Sequence, residues 1–198
     1  YEIHERLVGS EMCIRDSEQI GRVIKALKDK NLYDNTLILF TSDHGDMQGD
    51  HNMWRKTYAY QGSASIPMIV KLPSGIHSPV APGGVVENPV ELRAILPTFL
   101  DACGDTVPAD MDGKSLLSII TNPSAPWREW IDMEHATSYA DHNYWTAVTD
   151  GHIKYIWFVR TGNEQLFDLD TDPREERNLA ELPGSKELLE RMLSLIHI

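Results

Sequence analysis

The chain has 198 residues, with 18 Lys+Arg against 30 Asp+Glu and a formal charge of -12. That balance argues against the basic surface that nucleic acids and anionic membranes select, so neither is expected as a partner. Two cysteines, Cys13 and Cys103, exclude a disulfide framework and a Cys-rich zinc site. No apolar run approaches a membrane span. The length suffices for one good core with a small appended unit.

From Glu18 to Lys30, Ile20, Val23, Ile24 and Leu27 recur at helical spacing. Lys25, Lys28 and Lys30 occupy the other face and the last turn, where cations suit the helix dipole. Residues 31–35 supply a turn. Leu37 to Phe40 is then an apolar run without alternation, predicting a strand buried on both faces of a parallel sheet. A polar, aromatic-rich stretch from Met47 to Ser65 reads as a functional loop. Ile66 to Leu72 predicts a second buried strand, with Pro67 tolerated near its start. A Pro- and Gly-rich connection follows. Helical spacing resumes from Val90 to Ala102, where Pro97 predicts a kink or the start of a second helix. Ser115 to Ile120 reads as a short helix.

The composition shifts at Thr121 to Trp127, which marks a candidate boundary. Beyond it, Trp130–Glu134, Tyr144–Thr149, Ile153–Val159 and Gln165–Asp168 are short β-rich runs separated by turns. Asp150-Gly151 is a hairpin signal between two of them. These runs predict an antiparallel meander, closed by a helix over Pro183 to Met192.

The pointed chemistry sits where the first strand ends, in Thr41-Ser42-Asp43-His44-Gly45. Ligands of open α/β sheets lie just beyond the carboxyl ends of strands, so Asp43 and His44 are aimed at the favoured place. A hydrogen-bonded turn is the plainer account of such a pair. As metal ligands, an acid and an imidazole suit a transition metal by donor chemistry alone. Lys56, thirteen positions on, is either a solvated surface lysine or a point charge for an anion. His51 is a candidate proton donor, or a group that orients Lys56. Asp46 and Asp50 read as loop-structuring residues that bond nearby amides. Trp54, Tyr58 and Tyr60 either wall a substrate or simply pack. His135, at a strand end, either reads substrate or is a hydrogen-bonded structural residue, with Glu134 beside it and His142 in the loop that follows. Cys103 reads as a small packing residue.

The segment SDHGDMQGDHNMWRK resembles the signature of the type I sulfatases, within the alkaline-phosphatase-like superfamily. PVELRAILPTFLDACG, MDGKSLL and LFDLDTDPREERNLA are similar to the later part of a sulfatase, so the likeness covers roughly residues 18 to 192. The resemblance implies an α/β, alkaline-phosphatase-like sulfatase fold, present in part, with a small antiparallel β subdomain at its C-terminal end. It implies one divalent metal ion, calcium, on Asp43 and His44, with Lys56 holding a sulfate group. The implied substrate is a small-molecule or glycan sulfate ester. The implied location is periplasmic or secreted.

In that family the nucleophile is a formylglycine made from the Cys or Ser of a C-x-P-x-R or S-x-P-x-R motif. Neither motif is expected in this chain. Cys13 is followed by Ile14-Arg15-Asp16, which lacks the proline and the spaced arginine. The paired upstream aspartates of the metal site are absent too. The chain is therefore expected to be the C-terminal portion of a sulfatase, inactive alone, whose partner is the missing N-terminal half. Expected divisions are 1–17 and 193–198 as non-native, adapter-derived ends, 18–125 as the later part of the catalytic α/β domain, and 126–192 as the β-plus-helix subdomain. Two alternatives stay open. One is a phosphodiesterase or phosphonate monoester hydrolase of the same superfamily. The other is a non-catalytic binding relative.

Overall fold

A computed structural model describes residues 2–137 and 140–196, with side chains from Asp16 onward apart from residue 142. The side chains of Cys13 and His142, and residues 197–198 of the expected non-native tail, lie outside the described residues. The chain divides into two compact units, Tyr1–Leu39 with Val70–His77, and Phe40–Ile69 with Ser78–Ile198.

The first unit carries helix α1 (Glu2–Asp29) and a 3-10 turn at Tyr33–Asn35. The Lys71 ammonium closes that turn, donating to the carbonyls of Tyr33 and Thr36 (3.0 Å for Thr36) while lying 4.4 Å from the Tyr33 ring centre. Ile24 and Leu27 on α1 are half-buried, but Ile20 and Val23 are exposed.

Strands β1 (Ile38–Thr41) and β2 (Met68–Lys71) pair in a two-stranded sheet, and the division between the units passes through both. The first was expected to be buried on both faces and the second to be buried. Instead Phe40 is 43% and Ile69 60% exposed. A central parallel strand is covered only when layers pack on each side of it, and two strands do not make such a sheet.

The second unit holds the chemistry. Its helices are α2 (Gln61–Ala64), α3 (Ile95–Ala102), α4 (Leu117–Thr121) and α5 (Lys186–Leu195). Pro97 falls in the first turn of α3, where its missing N–H costs no hydrogen bond, and a 3-10 turn at Leu92–Ala94 leads into it. Strands β3 (Ile131–His135), β4 (Trp145–Thr149), β5 (Ile153–Phe158) and β6 (Glu164–Asp168) form one antiparallel meander in sequence order.

Alternation assigns the two faces of this sheet. Trp145, Ala147, Ile156 and Phe167 turn one way, onto Met47, Ala59 and Tyr60 of the loop after β1. Val148, Tyr155 and Leu166 turn the other way, onto Met192 and Ile196, with Leu188 and Leu189 of α5 packed against them. Apolar side chains of β4 and β5 thus point to both faces of the sheet, and both faces are covered. One consequence governs the site: the long loop that follows Asp43 is clamped to the C-terminal sheet.

Candidate functional site

β1 delivers the chain to Ser42-Asp43-His44-Gly45. The Gly45 amide donates to the Ser63 carbonyl at 2.8 Å. A Cβ on Gly45 would stand 2.1 Å from the Gly62 carbonyl oxygen, so only glycine permits this approach. The acid–imidazole pair is thereby tied to α2, and α2 is itself anchored from below. Glu175 Oε2 accepts from the Gln61 amide at 2.6 Å. Lys154 Nζ donates to Glu175 Oε1 (2.7 Å), Gln61 Oε1 (2.7 Å) and the Ala59 carbonyl (2.8 Å). Burial pushes the Lys154 ammonium down, and Glu175 pulls it back up, leaving it below the usual lysine range. Three acceptors matched to its three N–H donors make its full burial tolerable.

The loop between the pair and α2 is conformationally unusual. Gln48, His51, Asn52, Arg55 and Thr57, together with Gly49, all have positive φ. Asp46 braces the loop as expected, Oδ1 accepting from the amides of Gln48 (2.9 Å) and Arg55 (3.2 Å). Met47, 1% exposed, is its apolar anchor.

Asp43, His44, Lys56 and His135 line a single cleft of about 680 Å³. Glu91, Arg93, Asp132 and Glu134 contribute further polar groups to it. His44 Nδ1 lies 2.6 Å from the Gly45 carbonyl, which can only accept, so Nδ1 carries a proton. Nε2 then faces Asp43 Oδ2 at 3.5 Å. In the neutral imidazole that is a lone pair turned to a carboxylate, an arrangement a cation between them relieves. The donor set fits a divalent ion in this respect. It is two ligands only, since among the described residues no group of three or more His, Cys, Asp or Glu could hold a metal.

Of the cleft's cations, Arg93 is committed to Glu91 (2.6 Å) and Asp132 (2.9 Å). The Glu91 hydrogen bond raises the Arg93 guanidinium above its ordinary range. Slight burial would lift the Asp132 carboxyl, but the Arg93 bond and charge outweigh it and hold that carboxyl below its ordinary range. Lys154 is spent inside the protein. Lys56 has no ion-pair partner among the described residues, so its charge is the one available to an incoming anion.

Two expected site residues fall elsewhere. His51 is not among the cleft's residues: it stacks on Tyr60 at 4.1 Å between ring centres, and Nε2 lies 2.9 Å from the Arg174 carbonyl. Trp54 is 66% exposed and also outside the cleft. His135 stacks on Trp145 at 5.7 Å, with Nδ1 donating to the Asn143 carbonyl at 2.8 Å, and Nε2 has no hydrogen-bond partner among the described residues.

The expectation that the chain carries neither nucleophile motif needs correction. Ser124-Ala125-Pro126-Trp127-Arg128 has the S-x-P-x-R spacing. Ser124 is exposed and lies outside the cleft. Trp127 donates to the Pro89 carbonyl at 2.7 Å, and Arg128 pairs with Glu91 and donates to the Asp112 carbonyl. The spacing here serves packing. Lys154 and Glu175, by contrast, were not singled out from the sequence. Their signal was a lone lysine in the apolar run IKYIWF, on the same parity as inward-facing Ile156.

A family model for the C-terminal region of N-sulphoglucosamine sulphohydrolase matches residues 49–197. The chain belongs to this sulfatase family. An arylsulfatase of Clostridium perfringens (strain 13 / Type A) is 37% identical over 178 residues, 90% of this chain and 36% of the relative. The fold agrees. BT4656, solved with its substrate D-glucosamine-2-N,6-O-disulfate, superposes with a TM-score of 0.72 at 26% identity, covering 90% of this chain and 36% of that one. A phosphonate monoester hydrolase from Silicibacter pomeroyi superposes at 0.75 with 30% identity, covering 89% and 37%. The α/β sulfatase fold is thus present in part, and this sulfatase chain spans about a third of the length of the relatives it matches.

Proposed function

We propose that these residues form the metal- and sulfate-binding portion of a sulfuric ester hydrolase acting on a sulfated sugar. The observation that carries this is the meeting of an acid–imidazole pair and an uncommitted ammonium in one cleft. Asp43 and His44 would hold one divalent ion, calcium by family precedent, which when bound supplies positive charge next to a sulfuryl oxygen. Lys56 neutralises a second oxygen as charge moves onto the leaving group. His135 offers Nε2, and Glu134 its carboxylate, to the hydroxyls of a sugar. A cleft of about 680 Å³ suits a ligand of that size. The substrate bound by BT4656 is a sulfated amino sugar, which favours this class over an aryl ester. His51 would act by supporting the loop under Lys56. The nucleophile would be a formylglycine from the rest of a parent protein, secreted or periplasmic as the family resemblance implies.

Titration of the labelled chain with calcium and inorganic sulfate tests the assignment. Calcium is expected to move the resonances of Asp43 and His44, and sulfate those of Lys56. Asp43→Ala should abolish the first response, and Lys56→Ala the second. Responses that survive these changes sink the reading. The chain alone should not turn over 4-nitrophenyl sulfate at enzymatic rates.

A phosphonate monoester hydrolase is the second reading, favoured by the Silicibacter pomeroyi structure at 30% identity. Rates of a full-length protein containing these residues on aryl sulfate and aryl phosphonate monoesters separate the two. Sulfate is expected to be preferred.

A further inference from the structure

Lys56 sits between two residues of left-handed backbone, Arg55 (φ 69) and Thr57 (φ 91). Threonine is β-branched, and a positive φ brings its Cβ against its own carbonyl, so such residues almost never adopt it unaided. A strained residue persists only when its surroundings over-determine it. Arg55 is fixed from within the loop, its amide on Asp46 and its carbonyl accepting from the Met47 amide at 2.7 Å. Thr57 is fixed from far along the chain. The Trp145 indole N–H donates to the Thr57 carbonyl at 2.9 Å, and Asn143 Nδ2 donates to Thr57 Oγ1 at 3.2 Å. Both donor residues are 6% exposed, and Thr57 itself is half-buried, so the two bonds are partly screened from water.

We propose that Trp145 and Asn143 are positioning residues for Lys56, acting through Thr57. They hold one backbone conformation that turns the Lys56 ammonium into the cleft. The same two residues set His135, through ring stacking on Trp145 and the Nδ1–H bond to the Asn143 carbonyl. The 3-10 turn Asp141–Asn143 and the first residue of β4 therefore fix two groups on the cleft wall, and anion binding at Lys56 is coupled to the ordering of His135. The proposal rests on the sulfate-site reading for the ligand of Lys56, but its backbone claim is independent of that reading.

The test uses the isotope-labelled 198-residue chain, with inorganic sulfate as the probe. The backbone coupling constant of Thr57 reports φ, the Lys56 side-chain resonances report sulfate affinity, and Tm reports stability. Trp145→Phe keeps the ring stack and removes the indole donor. Asn143→Ala, a second variant in case the first folds poorly, removes only the hydroxyl's partner. Each is expected to release Thr57 from positive φ and to weaken sulfate about tenfold. Adding Thr57→Gly, which adopts positive φ without strain, should recover most of the loss even where Tm does not recover. A merely structural role predicts the reverse, a lowered Tm with affinity and φ unchanged, and would overturn the proposal. Weakened sulfate binding with Thr57 unmoved overturns it as well. Absence of any sulfate response at Lys56 in the unsubstituted chain sinks the sulfate-site reading, while the Thr57 coupling constant still decides the clamp.

Discussion

Lys154 and Glu175 form an ion pair with side chains 0% and 1% exposed, Nζ to Oε1 at 2.7 Å. The pair joins β5 to the loop after β6, and both partners also bond the segment Ala59–Gln61 that carries α2. It is the bolt between the C-terminal sheet and the loop bearing Lys56.

Breaking the pair from one side should therefore be costly. Lys154→Met leaves the Glu175 carboxylate buried without its cation, and a loss of about 3–5 kcal/mol is expected in urea unfolding. Adding Glu175→Gln removes the orphaned charge and should recover a large part of that loss. Equal stabilities for the single and double variants would show that the pair is not coupled.

The approach of Gly45 to Gly62 makes a second prediction. Gly45→Ala places a methyl group where a backbone oxygen stands, and backbone cannot rotate aside as a side chain can. Destabilisation at the upper end of the usual overpacking range, about 3 kcal/mol, is expected by thermal or urea unfolding. Calcium-induced shifts at Asp43 and His44 should weaken with it, because the loop that carries them must move. Full stability and an unchanged calcium response in the alanine variant would contradict this contact.

A third concerns pH. The Asp170 hydrogen bond, and then its charge, raise the exposed His152 imidazole above its ordinary pKa, with Nδ1 2.9 Å from Oδ1. A raised folded-state value means the pair's contribution is fully present below about pH 6.5, the unfolded value, and fades as pH climbs through the folded value. The NMR titration midpoint of His152 should lie above its ordinary value of about 6.5, and Asp170→Asn should lower it, leaving the smaller upward pull of Asp150 and Glu87. A midpoint indifferent to Asp170 would end this account.

Much of the architecture was readable from local pattern. Strands β3 to β6 and the Asp150-Gly151 hairpin all appear within a residue or two of where periodicity and turn residues put them, and α3 ends where expected, at Ala102, though it begins only at Ile95. The burial of β1 and β2 was not readable. An apolar run states what a strand needs on its faces, and says nothing of whether this chain supplies it. The site divided in the same way. Asp43, His44 and Lys56 could be picked out because they lie within thirteen positions on one strand-to-loop segment.

What composition, spacing and family signature supplied by themselves was the list of candidates: a carboxylate, an imidazole, and a lysine downstream. Tertiary structure alone decided that they share a cleft, that His51 and Trp54 stand outside it, and that Ser124 is a coincidence of letters. It alone showed Lys154, Glu175, Asn143 and Trp145 reaching back across 86 to 114 positions to hold the loop. The reason is physical. Residue type and short spacing carry local conformation and donor chemistry, whereas strain at Thr57 and burial of Lys154 exist only once distant strands have packed against the loop and shut out water.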